Sequence, residues 1–351
     1  MKRTIAFLFL LTGLACSSPT ASEPDPTLPD PAIGVSFTRS VFDGEHIYFG
    51  SENRRSVDTT VSFPEANYNY ESIQLNFALR CPSLGRCDAW DRKGWLAVVQ
   101  NPDTEEETVL EIWRFITPYG IGADWQYDFT DLRPLLSGEV TLRVFIDTWV
   151  GPGHQSGDGW LVDLSLDFKG GIPTHQPIAV IPVWTSHSFE YGNPTHSTSP
   201  AASATFAIPA DTKAATLRTL VTGHGQGNAQ NCAEFCSKTH TISVGDQTFD
   251  QQLWRDDCEE TAVPNQLGNW KYPRAGWCPG AYVVPWVEDV YAGLSPGGES
   301  SILYSVEPYE NSCRPDSPNC TGCVFGTTCD YNSGNHTKPI FVLSGLLTLY
   351  R

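Results

Sequence analysis

Strict alternation of apolar and polar residues is the feature that most limits what this chain can become. In ESIQLNFAL (71–79), Ile73, Leu75, Phe77 and Leu79 alternate with Ser72, Gln74, Asn76 and Ala78. In LVDLSLDF (161–168), Val162, Leu164, Leu166 and Phe168 face one way, and Asp163, Ser165 and Asp167 the other. A repeat of two gathers the apolar side chains on one face of an extended segment, and that face has to be buried. Short runs of this kind, punctuated by Gly and Pro, predict antiparallel sheets packed as sandwiches. Sustained helical periodicity is absent, and Pro134 interrupts the clearest short helix, DLRPLLSG. The expected fold class is all-β.

With 351 residues the chain is long enough for two domains. KGGIPTHQP (169–177), with its paired glycines and two prolines after a complete strand, marks the boundary. The domains expected are residues 34–170 and 177–351. Ahead of them, MKRTIAFLFLLTGLAC has two basic residues, an apolar run too short to span a bilayer, and small residues before Cys16, the pattern of a secretory signal over residues 1–16. Cys16 looks like a lipidated lipoprotein cysteine, although Gly13 stands where Leu is usual; ordinary cleavage nearby is the alternative. Residues 17–33, rich in proline, serine and acidic side chains, read as an extended tether. The expected location is outside the cytoplasm: periplasmic, anchored in the outer membrane, or secreted.

Cys16 apart, ten cysteines remain, an even number that in an exported chain favours disulfides. The formal charge of −18 argues against nucleic acid or an anionic membrane surface as partner. A neutral ligand such as a sugar is compatible, and 11 Trp and 13 Tyr supply rings suited to one, though sandwich cores use the same residues.

Three places can carry chemistry. Pairing of Cys81 with Cys87 would close a short loop and fix the backbone into Asp88, Trp90, Asp91 and Arg92. That suits a catalytic carboxylate at Asp91, but a surface Asp–Arg pair beside a structural disulfide reads the same. In VTLRVFIDTWV (140–150), counting by twos puts Arg143, Phe145, Asp147 and Trp149 on one face. An acid beside an indole fits a sugar site or a solvated edge strand. In NCAEFC (231–236), Cys232 and Cys236 are close enough in sequence to bridge, making a minimal loop whose exposed member is Glu234. Zinc needs further ligands at matched spacing, and a redox pair prefers a two-residue gap, so a pedestal for one carboxylate remains. Cys258 and Cys278 bracket a third loop that ends in Arg274 and Trp277, while Cys313, Cys320, Cys323 and Cys329 read as two further staples.

CPSLGRCDAWDR, RFITPY (114–119), LLSG followed by VTLRVFIDTW, CAEFCSKTHTI (232–242), and NQLGNW with RAGWCPG together resemble the peptide-N-glycosidase F family, from about residue 35 to the end. The resemblance implies two antiparallel jelly-roll domains side by side with the site between them, and hydrolysis of the amide joining asparagine to the first N-acetylglucosamine of an N-glycan. Asparagine would become aspartate and the glycan would leave as a glycosylamine, with no metal or organic cofactor. By position, Asp91 resembles the principal catalytic aspartate and Glu234 the second essential acid. Asp147 falls where the family usually has glutamate, and Arg92, Trp149, Arg274 and Trp277 match positions lining the glycan-core site. His224, in TGHGQG, stands at a family tryptophan and exchanges a stacking surface for a ring that titrates near neutrality. The partners implied are N-linked glycoproteins or glycopeptides, acted on by a monomer. A glycan-binding lipoprotein without turnover is one alternative; a copper monooxygenase is another, but no His-x-His spacing occurs among the eight histidines.

Overall fold

The computed structural model describes residues 31–82, 86–193, 204–226, 232–311 and 338–351. The secretory segment, Cys16 and the staples at Cys313, Cys320, Cys323 and Cys329 lie outside the described residues. Where described, the regular structure is nearly all strand, in four principal sheets that form two sandwiches.

The first sandwich sets one sheet, built on Tyr68–Arg80, Trp160–Gly170 and Phe37–Phe49, against another built on Thr108–Ile116, Lys93–Gln100, Gly138–Ile146 and Ser56–Phe63. Both alternating stretches behave as their pattern requires. Ile73, Leu75, Phe77 and Leu79 are buried, as are Val162, Leu164, Leu166 and Phe168, and all join one core with Trp113, Phe115 and Trp160. One expectation needs correction. The last residues assigned to the tether already belong to the sheet, because Ala32–Ile33 pairs in parallel with Tyr68 and Asn69. Around Pro134 the backbone takes a single 3₁₀ segment, Thr130–Leu135, which is as much helix as a proline there allows.

The second sandwich sets Pro177–Glu190, Ile340–Tyr350, Ala214–His224 and Trp286–Asp289 against Ala204–Ala207, Glu299–Val306, Thr239–Val244 and Gln247–Gln252. Its own core holds Trp184, Leu217, Val221, Tyr304, Phe341 and Leu347. Ile340–Tyr350 is buried along almost its whole length and does not alternate. One face meets the second core, and the other leans on the first sandwich, where Leu346 joins the first core.

The two halves are stitched by polar as well as apolar contacts. Ala281–Tyr282, from the second half of the chain, extends a sheet of the first by pairing with Ile116 and Phe115. Arg114 is fully buried and uses all five guanidinium N–H groups. It grips both Glu111 oxygens (2.6 and 2.7 Å) and donates to Thr222 Oγ1 (2.9 Å), the Val342 carbonyl (2.8 Å) and Ser344 Oγ (3.2 Å). Ser344 in turn donates to Glu111. A buried charge is tolerable when it is met this completely.

Within the second core, His240 bonds Tyr304 and packs edge-on against Phe341. Burial pushes its pKa down to about 3. The neutral ring folds; the unfolded ring protonates near 6.5. Stability from this site is therefore complete above about pH 6.5 and falls by about 1.4 kcal/mol per pH unit down to about pH 3. Urea unfolding at about pH 7 and pH 4 should show that loss, and His240→Gln should remove roughly 3 kcal/mol of it. An unchanged slope would reject the assignment.

Candidate active site

Asp91 comes from the first half of the chain. The Cys81–Cys87 disulfide (Cα–Cα 4.4 Å) anchors the loop leading to it. Gly157 must be glycine here, since φ is +125° and a Cβ would meet the Cys87 carbonyl at 2.2 Å. The neighbouring Asp88 carboxylate is wholly buried and accepts from Arg92 Nε (2.7 Å), Thr148 Oγ1 (2.7 Å) and the Trp90 amide (3.1 Å). The Asp–Arg pair thus exists, but it is Asp88 that holds Arg92. Asp91 is left to bond Tyr119.

Glu234 comes from the second half, on the loop closed by Cys232–Cys236 (Cα–Cα 4.9 Å). Its own amide and carbonyl are tied to Gly225 (2.9 Å) and Ala275 (2.9 Å), and one carboxylate oxygen accepts from the Gly225 amide (3.2 Å). Gly223 allows this close approach: a Cβ there would meet the Ala233 carbonyl at 2.4 Å. The loop does not hold Glu234 out as expected. Its side chain is only 18% exposed, because the loop packs inward beneath Arg274.

Arg274 joins the two acids. Its Nε lies 3.4 Å from Glu234 Oε1, and its charge also acts on Asp91. Carbonyls of Tyr272 (2.9 Å) and Asn269 (2.8 Å) hold the rest of the guanidinium, which lies against the rings of Trp277 (4.9 Å) and Phe235 (5.4 Å). Burial raises the pKa of Asp91 against the pull of Tyr119, Arg274 and Arg92. Burial raises Glu234 to about 7, with the Asp91 charge adding to the rise and Arg274 opposing it. Tyr119 is pushed above its ordinary value by burial and by Asp91, so its hydroxyl stays protonated and donates. A titrating carboxyl near neutrality beside a second acid is the arrangement expected of acid–base chemistry.

Trp277 is buried, and its indole N–H donates to the Gly223 carbonyl (2.7 Å). It is a wall behind Arg274, and the His224 ring also stacks on it (5.4 Å). His224 bonds Thr222 Oγ1 (2.8 Å), and burial together with Lys93 and Arg114 drives its pKa well down. The ring therefore stays neutral at physiological pH, contrary to titration near neutrality.

Asp147 lies just beyond the end of Gly138–Ile146, with its carboxylate ion-paired to Arg55 (3.1 Å). Arg55 also sits over Trp149 (4.4 Å) and Phe49 (5.1 Å). Trp149 remains 52% exposed, and Trp90, beside Asp91, 55%. Lys93 connects the two groups, being within electrostatic reach of both Asp147 and His224. Sequence reasoning assigned no role to Tyr119, Lys93, Asp88 or Arg55. Tyr119 closes the RFITPY string and could have been flagged; Arg55 in an Arg54–Arg55 doublet carries no signal.

Two family models match the chain: "Peptide-N-glycosidase F, N terminal" over residues 101–168 and "Peptide-N-glycosidase F, C terminal" over residues 190–317. Asp147 and Trp149 fall in the first, Glu234, Arg274 and Trp277 in the second, and Asp91 just ahead of both. The chain is 32% identical over 290 residues to peptide-N(4)-(N-acetyl-beta-D-glucosaminyl)asparagine amidase F of Elizabethkingia miricola, covering 77% of each. It superposes on the structure of PNGase F, a glycosylasparaginase from Flavobacterium meningosepticum, with a TM-score of 0.72 and 26% identity, covering 90% of this chain and 96% of that one. PNGF-II shares the fold at 18% identity, with a TM-score of 0.63 over 90% of this chain and 65% of that one.

Proposed function

The chain belongs to the peptide-N-glycosidase F family, and from that premise we propose that it is an amidase cleaving the bond between asparagine and the first N-acetylglucosamine of N-linked glycans. Whole glycan leaves as a glycosylamine, and aspartate remains in the peptide. The observation that supports this best is the meeting of Asp91 and Glu234 from opposite halves around Arg274, with both carboxyl pKa values raised.

Amide hydrolysis adds water to the carbonyl carbon, breaks the C–N bond and returns a proton to the departing nitrogen. Asp91, oriented by Tyr119, is placed against the scissile amide in this reading. Glu234, about half protonated near pH 7, handles proton exchange with water or the leaving nitrogen. Arg274 steadies negative charge between them. The exposed Trp149, with Arg55 and Asp147 beside it, offers an aromatic face and polar partners to the sugar. The three disulfides among the described residues suit an exported protein working on exported glycoproteins.

The test is to incubate the protein with an N-glycopeptide and weigh the products. A gain of about one mass unit at asparagine with whole glycan freed supports the amidase, whereas no change favours a binding protein. The pH profile adds a second check. Arg274 stabilises ionised Glu234, so Arg274→Met should move the limb of kcat/KM near pH 7 to higher pH, by roughly one unit. A limb that stays in place would detach Glu234 from the proton chemistry.

A further inference from the structure

Arg55 sits where the chain passes from one sheet of the first sandwich to the other. Asn53–Arg54 pairs with Phe49 and Tyr48, and one residue later Ser56–Phe63 begins its pairing with Gly138–Ile146. The Arg55 carbonyl accepts the Ile146 amide (2.9 Å), which fixes this corner beside the stretch leading into Asp147, Thr148 and Trp149. Four side chains meet the guanidinium there. Nε donates to Asn53 Oδ1 (2.9 Å) and Nη1 to Asp147 Oδ1 (3.1 Å). Its carbon lies over the rings of Trp149 (4.4 Å) and Phe49 (5.1 Å), which also touch each other, with ring centres 5.1 Å apart.

Stability is a poor explanation for this cluster. The Arg55 and Asp147 side chains are 20% and 43% exposed, and ion pairs so open to water contribute little to folding. What the cluster orders is Trp149, whose ring stays half-exposed. The backbone around that ring is tied separately to the loop bearing Asp91. The Asp147 amide donates to the Lys93 carbonyl (2.9 Å), and Thr148 Oγ1 donates to Asp88 (2.7 Å). Asp88 and Lys93 therefore set where Trp149 stands relative to the acids, and Arg55 sets how its ring lies. A half-exposed ring without such support samples several rotamers, and a ligand stacking on it has to give up that freedom. Arginine suits the task, because one planar fork pairs with a carboxylate and stacks on an indole at once. We propose that Arg55 is a positioning residue for the substrate: pinned by Asp147 and Asn53, it holds the Trp149 ring ready to receive a sugar, acting on affinity and not on bond cleavage. The choice of a sugar as ligand rests on the amidase reading.

The experiment measures kcat and KM for an N-glycopeptide, and by calorimetry the Kd of the same glycopeptide in an Asp91→Asn background. Arg55→Met should raise KM and Kd by roughly tenfold and leave kcat within about twofold. The limb of the pH profile near 7 should stay in place, unlike the shift expected for Arg274→Met. Arg55→Lys keeps the ion pair but not the flat fork, and should raise KM and Kd by only about threefold. With Trp149→Ala already present, Arg55→Met should add less than about twofold, because it acts through that ring. The inference is overturned if Arg55→Met leaves KM and Kd unchanged, lowers kcat as much as kcat/KM, or costs as much with Trp149→Ala as without it. Binding of the glycopeptide without glycan release would refute the amidase reading alone, and the Kd series would still decide the role of Arg55. Absence of binding would refute both. Should Arg55→Met not fold, the smaller rise expected of Arg55→Lys decides.

Discussion

Asp91→Asn should reduce glycan release from an N-glycopeptide by roughly 10³-fold or more while leaving the fold intact. The substitution keeps the shape of the side chain, and its amide oxygen can still accept from Tyr119. What disappears is a charge and a titratable oxygen beside the scissile bond. A second consequence separates this loss from simple misplacement. The Asp91 charge helps raise Glu234, so the residual activity should show its limb below the value near 7. Thermal melting should change little, because Asp91 belongs to neither hydrophobic core and the substitution keeps its shape. Substantial retained turnover, or a limb that does not move, would reject its assigned role.

The second large effect is on stability. Arg114→Met should cost about 3–5 kcal/mol in chemical denaturation, because Glu111 is left charged and buried, with Ser344 as its one hydrogen-bond partner among the described residues and Lys93 as the remaining nearby charge. Adding Glu111→Leu should recover most of that loss, since an apolar pair removes the orphaned charge along with its partner. The single variant should also free Thr222, Val342 and Ser344, the groups that bind the second sandwich to the first. A loss below about 1 kcal/mol would mean that water reaches Glu111 and that the network is not dry.

Much of the architecture was legible because strand periodicity is a local signal. Ile73 to Leu79 and Val162 to Phe168 announce a buried face, and their neighbours have no other way to satisfy it. The last strand was less legible. Ile340–Tyr350 is apolar on both faces, and sequence does not say that its outer face meets the other sandwich. The site shows the same division. Its disulfide pairs could be named from short strings, as could the acids and flanking residues proposed for it. The geometry among them could not, since Tyr119, Lys93 and Arg55 reach Asp91, His224 and Asp147 across long stretches of chain. The exposed pedestal expected for Glu234 was a local inference overruled by packing.

By itself, then, the amino-acid order determined an all-β chain with disulfide-braced acidic loops and a family resemblance, because alternation, cysteine spacing and motif strings act over a few residues. Only the tertiary structure decided that Glu234 is inward and near-neutral in pKa, that Trp277 is buried behind Arg274, and that Asp88 instead of Asp91 holds Arg92. Burial and charge proximity are sums over distant segments, and those sums exist only once the two sandwiches have closed on each other.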